Sequence, residues 1–272
     1  MDTLVSTTAH LPLKVQYFCD ATPPGIACRE ENFERRELQF ELPVAQTALV
    51  LVDLWNVHHI DSWVERETAV LKEKILPVIE AAREAGLTLV QAPSPEVIRN
   101  QEKLQKRVYG GWSDPNMKQA PADWPPTEFK ERSGGYHAFR HPRQQPPGVQ
   151  RFWDKLEGQM DISPLVEIAD SDYLVATGDQ LHTLLREQEV LHILYAGFAT
   201  NWCILGRDYG VAPMYGRGYN VILLRDATEG VEFPDTLEQG WATELAVREV
   251  EQKYGYTATS ADLIAACGKA RP

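Results

Sequence analysis

Thr47-Ala48-Leu49-Val50-Leu51-Val52-Asp53 is an unbroken apolar run that stops on a carboxylate. A strand with one wet face alternates apolar and polar residues. This run has no polar side to offer water, so it predicts a strand covered by helices on both faces. A helix is expected next, from about Glu65 to Ala85, with Val70, Leu71, Ile75, Val78, Ile79 and Ala82 at helical spacing and Gly86 as its stop. Leu87-Thr88-Leu89-Val90 then reads as a second strand, completing a βαβ unit whose crossover should be right-handed. The alternation resumes with strands at Asp172–Ala176, Leu191–Tyr195 and Tyr219–Asp226, helices at Gln180–Gln188 and Thr236–Tyr254, and a last short strand near Tyr256–Thr259. Such an order predicts an α/β fold with a parallel or mostly parallel central sheet between helical layers.

Two stretches break the pattern. Residues 1–45, with Pro23-Pro24-Gly25 in their middle, are expected to be an irregular N-terminal arm on a domain spanning 46–272. From about 94 to 150 the periodicity fades into Pro, Gly, aromatic and charged residues, including Tyr109, Trp112, Trp124, Tyr136 and Phe139. A loop this long in a compact domain is usually functional, which predicts an insertion serving as a lid or a subunit contact. With 272 residues, 43% of them hydrophobic, the chain can bury one large core. Its formal net charge of −12 argues against nucleic acid or an anionic membrane as partner and leaves a small molecule as the expected ligand. No leader-like N-terminus or membrane-length apolar stretch is seen, so the expected location is the cytoplasm. Cys19, Cys28, Cys203 and Cys267 show no metal-ligand spacing, and reduced thiols with no metal and no cofactor are expected.

Ligands in open α/β sheets gather at the carboxyl ends of the strands, where Asp53 and Cys203 both fall. Cys203 follows a strand and a turn at Gly197 and opens a helix-like stretch. Unpaired N–H groups and the helix dipole there favour a thiolate. The alternative is a small buried hydrophobe, the commoner fate of a lone cysteine.

The run ending in Asp53, the stretch Ala196-Gly197-Phe198-Ala199-Thr200-Asn201-Trp202-Cys203 and the strand closing on Asp226-Ala227 resemble the isochorismatase-like cysteine hydrolases over residues 46–260, the insertion excepted. The resemblance implies a three-layer α/β/α fold and a Cys, Asp, Lys triad that hydrolyses C–N bonds of small amide, carbamoyl or ureido compounds through a thioester. By position it makes Cys203 the nucleophile and Asp53 its base, and it implies an oxyanion hole from the N–H groups of Ala199 and Cys203, with a cis peptide between Phe198 and Ala199. Trp55, at a position where many relatives carry glutamine, becomes a candidate substrate contact together with His58, Thr200, Asn201 and Trp202. Relatives are often oligomers, so a homo-oligomer is expected. Asp226 is read as a structural hydrogen-bonding residue.

One departure is serious. Aligning the strand at Asp172 with the strand that usually precedes the triad lysine puts Thr177 at the lysine's position, and no lysine occurs between Lys155 and Lys253. Lys130, Lys155, Arg140 or Arg143 reaching in from the insertion could restore the cation, or His58 or His59 could manage protons, because a histidine titrates near neutral pH. Two other readings stay open: vinyl-ether hydrolysis of the isochorismatase type, which uses Asp53 without the thiol, and a non-catalytic binding relative.

Overall fold

The computed structural model describes residues 9–115, 124–140, 149, 150, 152 and 157–270. Its centre is an eight-stranded sheet: β1 (His10–Asp20), β2 (Phe33–Pro43), β3 (Thr47–Val52), β4 (Thr88–Ala92), β5 (Tyr173–Leu174), β6 (His192–Phe198), β7 (Asn220–Glu229) and β8 (Tyr256–Ala258). The strand order is β2-β1-β8-β7-β6-β3-β4-β5. The six strands from β8 to β5 run parallel, and β1 joins β8 antiparallel. Every residue of β3 is buried, as expected of a strand with no wet face.

Helices cover both faces. On one lie α1 (Asp61–Val70), α2 (Leu76–Glu84) and α7 (Ser260–Lys269). A wider helical turn over Leu71–Ile75 joins α1 to α2, so the first crossover is continuous from Asp61 to Glu84. This layer packs on Leu49, Leu51, Leu89, Leu194 and Ile222. The opposite face, formed by Val50, Val52, Val90, Ile193, Tyr195 and Leu223, packs against α4 (Gly178–Glu187) and α5 (Val211–Gly216), and α3 (Pro95–Asn100) and α6 (Trp241–Glu249) complete the helices framing the sheet. The architecture is therefore a three-layer α/β/α fold.

The expectation of an irregular arm over 1–45 is corrected for residues 10–43. β1 and β2 form a long antiparallel hairpin in continuous register from His10↔Pro43 to Asp20↔Phe33. Leu11, Leu13 and Val15 alternate along β1 and are fully buried against the α2/α7 layer, and that burial fixes the register. Arg35 on β2 ties the hairpin to the domain through Glu251, at 2.9 Å.

Within the insertion, the described residues hold α3 and short helical turns at Glu102–Gln105, Thr127–Lys130 and Gly134–Phe139. Tyr109 and Trp112 pack back on the core. Phe129 gathers Tyr136 and Phe139 into a small exposed cluster, with ring centroids 5.2 and 6.3 Å away. Among the described residues, no helix is long and apolar enough to cross a membrane.

Candidate active site

β3 and β6 are neighbours, so their carboxyl ends deliver Asp53 and the 197–203 turn to one crevice. The approach is close. A Cβ on Gly197, whose φ is +120°, would stand 2.0 Å from the Val52 carbonyl oxygen, so only glycine fits there. The next peptide, Phe198–Ala199, is cis. The chain then coils through Thr200–Ile204 and presents Cys203, partly exposed, at the mouth.

Asp53 is 1% exposed and leaves its strand in the left-handed region at φ +48°, a conformation that aspartate tolerates better than most residues. Its Oδ1 accepts hydrogen bonds from the Trp55 indole N–H at 3.0 Å and from the Ser94 backbone N–H at 2.5 Å. Those two donors fix the carboxylate plane and leave Oδ2 without a hydrogen bond, on the side of Arg207, with Cys203 beside the carboxyl group. Burial raises the Asp53 pKa to about 6, with Arg207 first among the groups that hold it from climbing further.

Arg207 is the cation of the site. It lies four residues after Cys203 and its N–H donates to the Cys203 carbonyl at 3.1 Å, so both side chains emerge on one face of the same turn. Its Nε is 4.0 Å from Asp53 Oδ2, and its other end is 3.4 Å from Glu96 Oε2. The lysine position is occupied otherwise: Thr177 Oγ1 accepts the Gln180 N–H at 3.2 Å and caps α4. The adjoining Gly178 touches the arginine's own segment, donating its N–H to Asp208 Oδ2 at 2.7 Å. A Cβ at Gly178 would fall 2.2 Å from the Asp208 carbonyl oxygen. The crevice wall that lacks the lysine is thus in van der Waals contact with the segment that carries the arginine.

Several sequence expectations are corrected by this geometry. His58 and His59 lack the near-neutral pKa expected of groups that manage protons: burial, and for His58 its neighbour His59, lower their pKa values, that of His58 to about 3, so the His58 ring is neutral at pH 7. The His58 Nδ1 accepts the Ile60 N–H at 3.3 Å, and its ring stacks on Trp55 at 5.3 Å. Lys130 and Arg140 lie on the exposed 127–140 segment, and Lys155 and Arg143 fall outside the described residues. The helix-opening position does not favour a thiolate either, because burial and then the Asp53 carboxylate push the Cys203 thiol well above its ordinary pKa. Thr200 is fully buried with its hydroxyl shared with Thr228 at 2.7 Å, and Asn201 bonds both backbone groups of Val231 at 2.9 and 3.0 Å. Both side chains are thereby engaged in building the turn. Asp226 accepts the Ser260 N–H and hydroxyl at 2.6 and 2.7 Å, capping α7. Trp202 is 45% exposed beside the mouth, 6.3 Å from the His58 ring.

A cavity of about 250 Å³ lies against Arg207, lined by Trp55, His58, His59, Phe152 and Met160 on its apolar side and by Ser94, Glu96 and Arg207 on its polar side. No group of three or more His, Cys, Asp or Glu side chains among the described residues is gathered as a metal ion would need. One buried acid went unnoticed in the sequence. Glu67 on α1 is 2% exposed, both its oxygens lack partners, and burial followed by the nearby Asp53 charge raises its pKa to about 9.

Residues 162–262 match the family model described as the isochorismatase domain. The fold is similar to that of a cysteine hydrolase from Pseudomonas syringae pv. phaseolicola 1448A, at 17% identity and a TM-score of 0.55 over 84% of this chain and 94% of that one. An isochorismatase family protein from Burkholderia thailandensis matches at 20% identity and a TM-score of 0.48 over 82% and 96% of the two chains. No curated protein matches the sequence. The chain thus carries a match to the isochorismatase domain over residues 162–262, set within a three-layer fold similar to that of the Pseudomonas cysteine hydrolase.

Proposed function

We propose that this protein is a cysteine hydrolase that cleaves the C–N bond of a small amide, carbamoyl or ureido compound through a thioester on Cys203. The observation that carries the reading is the convergence of a partly exposed thiol, a buried carboxylate of pKa about 6 and a guanidinium in one crevice. Cys203 stays a thiol at rest and becomes a nucleophile only as it reacts. Its sulfur attacks the substrate carbonyl while its proton passes to Asp53 Oδ2, the oxygen left free by the Trp55 and Ser94 bonds. The resulting oxyanion is received by the N–H groups of Ala199 and Cys203 at the turn after β6. Asp53 then hands the proton to the departing nitrogen, the C–N bond breaks and the thioester remains. Water attacks the thioester, losing a proton to Asp53; the carbon–sulfur bond breaks, and the sulfur recovers the proton as the acid is released.

Arg207 takes the part that the missing lysine would play, holding Asp53 ionised near neutral pH and keeping it turned towards sulfur. Intact-mass measurement after exposure to small amides, ureas and ring imides tests the reading. A mass gain on Cys203 equal to the acyl group is expected, together with loss of turnover in C203A. Undiminished turnover in C203A would sink the thioester route and leave a carboxylate-only hydrolase.

A further inference from the structure

The cavity that Arg207 lines has a charge pattern that narrows its ligand. Its lining carries Glu96 and Arg207, 3.4 Å apart, and the buried Asp53 stands behind the guanidinium, 4.0 Å from it. Two carboxylates around one guanidinium leave a net charge of −1 among the described residues. His58 and His59 add nothing to it, since both rings have lowered pKa values. The remaining wall is aromatic. Trp55 and His58 stack at 5.3 Å, His58 and His59 lie 4.1 Å apart, and Phe152 closes on His59 at 5.9 Å. Neutral ring faces beside an excess negative charge attract organic cations and repel carboxylates.

We infer that the preferred substrate is a small amide or carbamoyl compound bearing a cationic nitrogen, with Glu96 and the Trp55–His58–Phe152 wall holding the cation. The inference rests on the hydrolase reading only for the word substrate; the cation selectivity belongs to the cavity. At about 250 Å³ the space is smaller than the roughly 300–1,000 Å³ of pockets that take drug-sized ligands, which limits the compound to a few carbons beyond the amide.

The test compares betaine amide with 3,3-dimethylbutanamide, its uncharged isostere, and with anionic succinamate. Calorimetric titration of full-length C203A measures binding without turnover. Betaine amide is expected to bind at least tenfold more tightly than the isostere, and succinamate more weakly than both. In the double variant C203A/E96Q the cation-to-isostere ratio should fall to within threefold, whereas a purely structural role for Glu96 would weaken all three probes alike. Equal binding of the isosteric pair, preference for succinamate, an unchanged ratio in the double variant, or no binding of any probe would each overturn the inference. Ammonia release by the unmodified protein is scored separately: selective binding without release keeps the cation site and rejects the hydrolase.

Discussion

Asp53 and Glu67 are both buried carboxyl groups on the first βα unit, 1% and 2% exposed, yet they end up on opposite sides of neutrality. Asp53 receives an indole N–H, a backbone N–H and a guanidinium, and titrates near 6. Glu67 receives no hydrogen bond and titrates near 9, remaining a neutral acid at pH 7. Removal from water is nearly the same for both, so the neighbours decide which one can act as a base. A carboxyl group one helix away from the site shows what Asp53 would be without its three partners.

The sharpest way to break that contrast is R207A. Removing the first of the groups that lower the Asp53 pKa should move the acid limb of the pH–rate profile upward from about 6, because the base form must then be reached at higher pH. The same change should reduce kcat/KM on the order of 100- to 1,000-fold, with R207K recovering part of it. An unmoved acid limb in R207A would separate Arg207 from Asp53. W55F is the milder version: it removes one donor to Oδ1, so the limb should shift the same way by less, with a loss of about three- to tenfold in rate.

E67Q should leave the acid limb where it is, since Glu67 is already protonated at pH 6, and its signature should appear in stability. The folded pKa of about 9 exceeds the ordinary 4.5, so the unfolded chain ionises first as pH rises. Stability is therefore lost progressively from about pH 4.5 to about pH 9. Glutamine abolishes that slope, and urea unfolding should show E67Q gaining about 1–3 kcal/mol on the parent at pH 8 relative to pH 5. A parallel pH dependence in the two proteins would place Glu67 in a better-solvated environment than its burial implies.

The elements that set this contrast differ in how openly the sequence declares them. β3 announces itself because a strand buried on both faces needs no polar residue, and the strand-end positions of Asp53 and Cys203 follow from it. The hairpin is legible in principle: Leu11, Leu13 and Val15 alternate as a one-sided strand must, but Pro23-Pro24-Gly25 points to an irregular arm where it marks the hairpin's loop. Arg207 falls outside the position after the preceding strand where the resemblance places a lysine. Its spacing of four residues from Cys203 is the helical signal that places two side chains together, and it applies to any cation. Glu67 carried a visible signal too, falling between Trp63 and Leu71 on the stripe that faces the core. The roles of Thr200 and Asn201 could not be read, because their partners Thr228 and Val231 lie some thirty residues away.

The contact between Gly178 and the Asp208 backbone has an evolutionary consequence. A single T177K replacement would remove the cap of α4 and bring a second positive charge into a crevice already occupied by Arg207, so it should be harmful alone. Loss of the arginine alone should be harmful as well. The two arrangements of the charge are then separated by a fitness valley that only paired change can cross, and T177K combined with R207A should recover more activity than the two separate losses allow.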